Sequence, residues 1–306
     1  MLNTDAYLFV HFIDKKHNTP MSEQIYFSVS KDGYNWETLN GKQPILLSNV
    51  GEKGVRDPFI IRSRDNDKFY IVGTDLNVHL RPDGWKMATI NGSRNILVWE
   101  STDLVNWTDV RMCTIAPEGA GCAWAPEVIY DEENGDYMVF WASRSLKDGR
   151  RKCRMYYSKT KDFRTFTPAE LYIERPSDVI DTTIVRSDDG FYYRFSKDET
   201  FKVITVERGK RLLGEFQRIE TTIDKTRGVE GPECFRLKNG KWCLIVDRYA
   251  KNLGYCAYTC SDLAGGNFAR IRHEFNSDLK LRHGGVIPIT SEEYDRLISA
   301  YGERAE

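Results

Sequence analysis

The sequence predicts an all-β chain, folded as a single five-bladed β-propeller over residues 1–306. Three observations carry that expectation. The first is a turn signature that follows short apolar runs. It reads Ser30-Lys31-Asp32-Gly33-Tyr34-Asn35-Trp36 and Ser101-Thr102-Asp103-Leu104-Val105-Asn106-Trp107. Looser copies stand at Lys161-Asp162-Phe163-Arg164-Thr165-Phe166 and from Ser261-Asp262 to Phe268. The second is a set of acids, Asp57, Asp181 and Glu230, each opening an apolar run that leads through a polar turn into an aromatic-rich run. The third is a match between the chain ends, where Tyr7 to Trp36 lack an inner strand and His283 to Ile289 lack partners.

The turn signature has a mechanism. An Asp side chain accepts hydrogen bonds from nearby backbone N–H groups, and the aromatic that follows returns to the core. The preceding apolar runs are Gln24-Ile25-Tyr26-Phe27, Ile96-Leu97-Val98-Trp99, Arg154-Met155-Tyr156-Tyr157 and Tyr255-Cys256-Ala257-Tyr258. Four copies in register make a repeat at the period of propeller blades. One unit runs from Asp57 through Phe69-Tyr70-Ile71-Val72 to Trp107, and the next from Trp124-Ala125-Pro126-Glu127 through Tyr137 to Phe166. A third starts at Asp181 and passes through Phe191 to Phe195; a fourth starts at Glu230 and passes through Trp242 to Val246. Joining the chain ends completes a fifth and leaves no free sheet edge there. A short helix from Ser291 to Tyr301, with Ser291 as cap and Glu292-Glu293 in its first turn, is expected to end the fold.

Composition excludes several classes. The chain is 41% hydrophobic and 29% charged, as in a soluble globular protein. Its net charge is −1 with no basic stripe, which argues against a nucleic-acid partner. The longest apolar stretches, such as Tyr7 to Ile13, are too short to span a membrane. The start, Met1-Leu2-Asn3-Thr4-Asp5, has neither the basic nor the apolar part of a signal peptide. As given, the chain reads as cytoplasmic, and as periplasmic or secreted where a leader has been removed. The seven cysteines are odd in number and lack paired CxxC spacing, so they read as small buried apolar residues.

Innermost propeller strands line a central funnel, so acids that open them gather at one mouth. Crowded carboxylates in a partly dry site separate their pKa values, leaving one protonated and one ionised. That pair is what glycosidic bond cleavage requires. The order Asp57-Pro58, Trp124-Ala125-Pro126-Glu127, Ile180-Asp181 and Glu230-Gly231-Pro232, each opening a blade, resembles the family 43 glycoside hydrolases over nearly the whole chain. The resemblance implies an inverting enzyme, with Asp57 as general base, Glu230 as general acid, and Asp181 raising the pKa of Glu230. Inversion sets the base and acid roughly 6.5–9.5 Å apart. The residue after Asp181 is Thr182, where the family more often has Pro or Ala.

The resemblance further implies a pentose substrate from plant cell-wall polysaccharide or oligosaccharide. An α-L-arabinofuranosyl unit is favoured, since no sandwich domain of the kind seen in xylosidase relatives follows Ser291. β-Xylosidase and endo-arabinanase or galactan-cleaving activities are the alternatives within the fold. No cofactor is required, although the family places a His near a channel cation, commonly calcium, and His283 is the residue at that place.

Other residues carry two readings each. Trp124 either stacks on a sugar and walls the pocket or packs in the core. Arg248 either anchors a sugar hydroxyl or Glu230, or pairs with Asp247. Glu127 serves backbone groups. Glu233, three residues beyond Glu230, falls on the opposite sheet face by strand alternation. Asp75, His79 and His11 take rim positions, and the rim loops Leu76 to Arg94 and Thr114 to Cys122 decide between pocket and groove. A retaining fructoside enzyme would need an earlier Asp-Pro than Asp57-Pro58, which is lacking. A non-catalytic carbohydrate-binding propeller would keep the aromatics and lose an acid, yet all three acids are present.

Overall fold

Short runs rich in β-branched and aromatic residues, bounded by Gly, Asp and Asn turns, favour strands over helices. The computed structural model describes residues 4–13, 19–149, 151–271 and 275–302. Residues 1–3, on which the leader reading partly rests, lie outside the described residues. The chain opens with β1 (Ala6–Ile13), β2 (Tyr26–Ser30) and β3 (Asn35–Thr38). The first complete blade is β4 (Val55–Arg62), β5 (Phe69–Asp75), β6 (Asn95–Ser101) and β7 (Arg111–Thr114). The second is β8 (Trp124–Asp131), β9 (Asp136–Arg144), β10 (Cys153–Thr160) and β11 (Glu170–Ile173). The third is β12 (Val179–Arg186), β13 (Tyr192–Asp198), β14 (Val203–Gly209) and β15 (Phe216–Ile219). The fourth is β16 (Glu230–Arg236), β17 (Trp242–Asp247), β18 (Tyr255–Cys260) and β19 (Ala269–Arg270). In the fifth, β21 (Leu281–Ile289) is the inner strand beside β1, and β20 (Asn276–Ser277) runs parallel to β3 at the outer edge. The propeller and its split fifth blade are as the sequence predicts.

Each blade is a twisted antiparallel meander, and neighbouring blades bury their faces against one another. A separate apolar cluster fills each of the five interfaces; Tyr70, Val139 and Phe163 pack between the first two blades, for example. The turn signature works as the sequence implies. Ser30 Oγ accepts from the N–H of Gly33 while Asp32 Oδ1 accepts from those of Tyr34 and Asn35, each at 2.8–2.9 Å. Ser101 with Asp103, and Thr160 with Asp162, repeat these bonds.

Closure depends on close backbone approach. A Cβ added to Gly284 would lie 2.0 Å from the Val10 carbonyl oxygen, and one added to Gly285 would lie 3.0 Å from Ile60 N. These two glycines therefore let β21 lie flat against β1 and β4. Beyond β21, helix α1 (Ser291–Tyr301) is capped by Thr290, not by Ser291. The Thr290 side chain accepts from Glu293 N and the Glu293 carboxylate accepts from Thr290 N, closing a reciprocal box. Ser291 is instead the first helical residue and bonds Asp5. The same Glu293 carboxylate receives the guanidinium fork of Arg62 at 2.6 and 2.8 Å, and Leu297 is fully buried. The helix thus fastens the closing blade to the first.

Gly284→Ala is expected to lower stability by ~1–3 kcal/mol or more, the cost of overpacking against unyielding backbone. Denaturant unfolding measures it, and an unchanged midpoint would show that closure does not depend on this fit.

Candidate active site

All five inner strands carry a bulge at the same level. In β4, β8 and β16 three residues span what two span on the partner: Arg56 to Phe59, Trp124 to Glu127, and Glu230 to Glu233. In β12 the extra residue lies between Ile180 and Thr182, and in β21 the register shifts opposite His11 to Ile13. Four bulges place one residue in the left-handed region: Asp57 (φ 48°), Ala125 (φ 46°), Asp181 (φ 48°) and Gly231 (φ 52°). Asp tolerates that region better than most side chains, at a modest cost. A bulge re-aims the side chains around it, and here it turns them into the funnel.

The three acids therefore do not occupy one equivalent position. Asp57 and Asp181 are the left-handed residues of their bulges. Glu230 comes one place earlier and is equivalent to Arg56, Trp124 and Ile180, with Gly231 standing where the other two acids stand. They nonetheless converge. Asp57, Asp181 and Glu230 line one pocket of about 410 Å³ at the funnel mouth, together with Trp124 and His283. Its walls are Leu76, Ile180, Tyr249 and two edge-on tryptophans, Trp85 and Trp124, with ring centres 6.0 Å apart. The Arg56 guanidinium lies 4.8 Å over the Trp85 ring and is held by Glu23 at 2.6 Å.

The bulges interlock through hydrogen bonds. Thr74 Oγ1 accepts from Ala125 N at 2.8 Å and donates to Asp57 Oδ2 at 3.2 Å, joining the first two blades. Gly231 N donates to Asp181 Oδ2 at 3.1 Å, joining the third and fourth. His283 reaches in from the fifth, with Nδ1 3.4 Å from Asp57 Oδ1 and 4.0 Å from Asp181 Oδ1.

These neighbours set the charges. Burial pushes the Asp57 carboxyl up, but His283, Arg56 and the Thr74 hydroxyl outweigh it, and its pKa lies below the usual carboxylate value. Asp181 is pushed up to about 6 by burial, helped by the negative charges of Glu230 and Asp57. Glu230 is driven up by burial yet ends below its ordinary value, because Lys197 and Arg282 face it. Lys197 Nζ is 2.8 Å from Glu230 Oε2, and Arg282 Nη2 is 3.1 Å from Oε1. Asp181 and Glu230 raise one another, but at Glu230 the cations Lys197 and Arg282 outweigh this, so Asp181 is the member that ends raised.

Below this layer lies a second ring. Glu233 accepts from Val286 N at 2.8 Å and from Thr183 Oγ1 at 3.3 Å. It does not fall on the opposite face from Glu230, because the bulge at Gly231-Pro232 adds a residue and brings positions three apart onto one face. Glu127 approaches His283 Nε2 at 3.9 Å, so its partner is an imidazole and not backbone. Burial pushes the Glu127 carboxyl up to about 7, and pushes Glu233 well above the usual range.

Two expectations need correction. Arg248 does not line this pocket; its guanidinium donates to the carbonyls of Leu253, Gly254 and Tyr255, securing the loop after β17. The arginine that meets Glu230 and Asp247 is Arg282, whose Nε is 2.8 Å from Asp247. His283 as placed does not fit a channel calcium. Calcium takes six to eight oxygen ligands, whereas here the imidazole itself fills the space between Asp57, Asp181 and Glu127. Burial alone would lower its pKa, but those three carboxylates outweigh it and raise the value well above the usual one. Among the described residues no group of three or more His, Cys, Asp or Glu is disposed to hold a metal ion.

Of the rim residues, Asp75 binds Glu52 N and His11 is buried inside the fifth blade against Ser28; neither they nor His79 lines the pocket. Trp85, Lys197, Glu199 and Tyr249 also line this pocket and were not singled out from the sequence. Arg56 and Arg282 were legible in principle, since each immediately precedes the Asp or His of its bulge. Lys197 had no such signal, because only the pairing of Ile180 with Lys197 brings it beside Asp181.

Residues 3–295 match the model of the glycosyl hydrolase 43-related family, described as a "Probable glycosyl hydrolase domain". An α-L-arabinofuranosidase of Bifidobacterium longum is 33% identical over 244 residues, which is 67% of this chain and 23% of that protein. The chain thus spans about a quarter of the length of that curated relative. The fold is shared with an exo-β-1,3-galactanase of Phanerochaete chrysosporium (TM-score 0.65, 13% identity, 89% of this chain and 61% of the other). It is shared also with an endo-1,4-β-xylanase of Bacteroides thetaiotaomicron (TM-score 0.59, 14% identity, 93% and 94%). At such identities these two likenesses speak for the fold alone. With the family match covering nearly the whole propeller, the chain belongs to the family 43 glycoside hydrolases.

Proposed function

We propose that this propeller removes terminal pentosyl units, α-L-arabinofuranosyl in particular, from plant polysaccharides or oligosaccharides with inversion at the anomeric carbon. The observation that carries the reading is the meeting of Asp57, Asp181 and Glu230 in one pocket, with Asp57 held ionised. Asp57 accepts a proton from a water as its oxygen attacks the anomeric carbon. Glu230 donates a proton to the departing glycosidic oxygen, so one water is consumed and both products leave neutral. Asp181 lies between them electrostatically: its carboxyl feels both Glu230 and Asp57. A negative Asp181 opposes ionisation of Glu230 and favours the protonated acid.

Trp85 and Trp124 offer apolar faces to a sugar ring, as glycoside sites commonly use aromatic rings beside polar groups. A pocket of about 410 Å³ suits a chain end better than a long polymer segment. The choice of arabinofuranoside is supported by the activity named for the Bifidobacterium relative. No helix among the described residues is long and apolar enough to cross a membrane.

Hydrolysis of nitrophenyl α-L-arabinofuranoside, β-D-xylopyranoside and β-D-galactopyranoside tests the substrate, and the arabinofuranoside is expected to turn over fastest. Preference for either other sugar would overturn that choice without touching the site. Glu230→Gln is expected to cost about 10²–10⁴-fold in kcat on an unactivated arabino-oligosaccharide, the usual contribution of a positioned acid. Retained turnover would remove Glu230 from the reaction.

The pH profile follows from Asp57. The base must be ionised, and its pKa lies below the ordinary value, so the acid limb of kcat/KM is expected below about pH 4. Thr74→Val removes a hydrogen bond to the ionised form and raises that pKa, moving the limb to higher pH. A limb unmoved in this variant would mean that another group controls it.

A further inference from the structure

Glu230 poses a problem for its own role. A general acid must hold a proton, yet both its oxygens receive cationic donors, Oε2 from Lys197 at 2.8 Å and Oε1 from Arg282 at 3.1 Å. Each of these N⁺–H donors favours the ionised carboxylate and so opposes the proton destined for the leaving group. Releasing one of the two contacts favours the protonated form in which Glu230 can act.

The surroundings say which one. Arg282 is anchored a second time, its Nε lying 2.8 Å from Asp247, whose side chain is fully buried. A planar guanidinium fixed at two points has little freedom. Lys197 is a single point charge on a flexible stem, and it already touches another acceptor. Its Nζ is 2.7 Å from Glu199 Oε2, and it lies 4.3 Å over the Tyr249 ring. Glu199 is about one-third exposed, just beyond the end of β13, with Lys202 on its other oxygen. The ammonium therefore bridges the pocket acid and a rim carboxylate.

We propose that Lys197 is the positioning residue for Glu230: it holds the carboxylate before a sugar binds, then passes to Glu199 and the Tyr249 face, freeing Oε2 to take a proton. This rests on the reading of Glu230 as the acid. The charged and titratable groups around Glu230 come from four blades. Lys197, Glu199 and Asp181 belong to the third; Asp247 and Tyr249 to the fourth. Arg282 and His283 belong to the fifth, and Arg56 and Asp57 to the first. Of the cations, Lys197 is the one with a second carboxylate at the rim within direct reach. Arg56 is committed to Glu23, Arg282 to Asp247, and His283 to Asp57 and Glu127.

Opposite shifts test the proposal. Since the acid works only while protonated, kcat/KM falls above its pKa. Lys197→Met removes the opposing charge and is expected to move the alkaline limb up by about one unit or more, while Lys197→Arg keeps the limb near its original place. Glu199→Gln removes the alternative partner, commits Lys197 to Glu230, and is expected to move the limb down and lower kcat/KM at neutral pH about tenfold. Glu199 is a rim residue, so its variant is suited to testing the shift in a folded protein. Thermal midpoints for all three variants separate folding defects from altered titration. Coincident profiles for wild type and Lys197→Met, or shifts of the same sign in Lys197→Met and Glu199→Gln, would overturn the proposal. Failure of the underlying reading looks different: activity that survives in Glu230→Gln removes the acid itself, whatever the lysine does.

Discussion

An extra residue at the head of each inner strand is the constraint on which the site depends. Strand geometry alone would send alternate side chains to opposite faces, and a straight strand would present one residue in two to the funnel. The bulge breaks that alternation where the strands reach the mouth. It puts Asp57 and Asp181 in a left-handed backbone and brings Glu230 and Glu233 to the same face. Because all five inner strands bulge at one level, their side chains form stacked rings, an upper one open to the pocket and a lower one sealed in the channel.

Such rings concentrate charge where water is scarce, and unpaired buried charge is costly. Arg56 and Thr74 of its own blade help to compensate Asp57, but much of the compensation comes from neighbouring blades. His283 of the fifth blade faces Asp57 of the first and Asp181 of the third, and Lys197 of the third blade and Arg282 of the fifth both face Glu230 of the fourth. The hydrogen bonds from Gly231 N to Asp181, and from Ala125 N through Thr74 to Asp57, cross blade boundaries in the same way. Loosening the ring at any interface would therefore disturb the ionisation of the pocket as well as its shape. The close fit of β21 against β1 and the Arg62–Glu293 clasp of α1 act on the chemistry through this route.

The same arrangement assigns different tasks to chemically similar groups. Asp57 and Asp181 share a backbone conformation and a buried setting, yet one ends below its ordinary pKa and the other near 6. The difference lies in who faces them: Asp57 has His283 closest and a hydroxyl donor, while Asp181 has two negative neighbours. Glu127 and Glu233, deeper still, carry raised pKa values because burial dominates and they oppose each other.

Much of this architecture is legible in the sequence. Blade count, the split closing blade and the helix at the end follow from turn chemistry and apolar periodicity, which are local and repeat along the chain. The gathering of Asp57, Asp181 and Glu230 was legible too, since residues that open inner strands must meet at one mouth. Their inequivalence was not, because a bulge shifts register by one residue and leaves no separate mark on the apolar pattern. Glu233 was misplaced for that reason. Arg248 and Arg282 exchanged expected places because nearness in sequence to Asp247 says nothing of a strand arriving from the far end of the chain. By itself, the sequence determined which strands form and which acids they carry, since turns and side-chain alternation act over a few residues. The tertiary structure decided which way the pKa values of Glu230 and Asp57 move, because Lys197 and Arg282 reach Glu230, and His283 reaches Asp57, from other blades across distances of sequence that no local pattern spans.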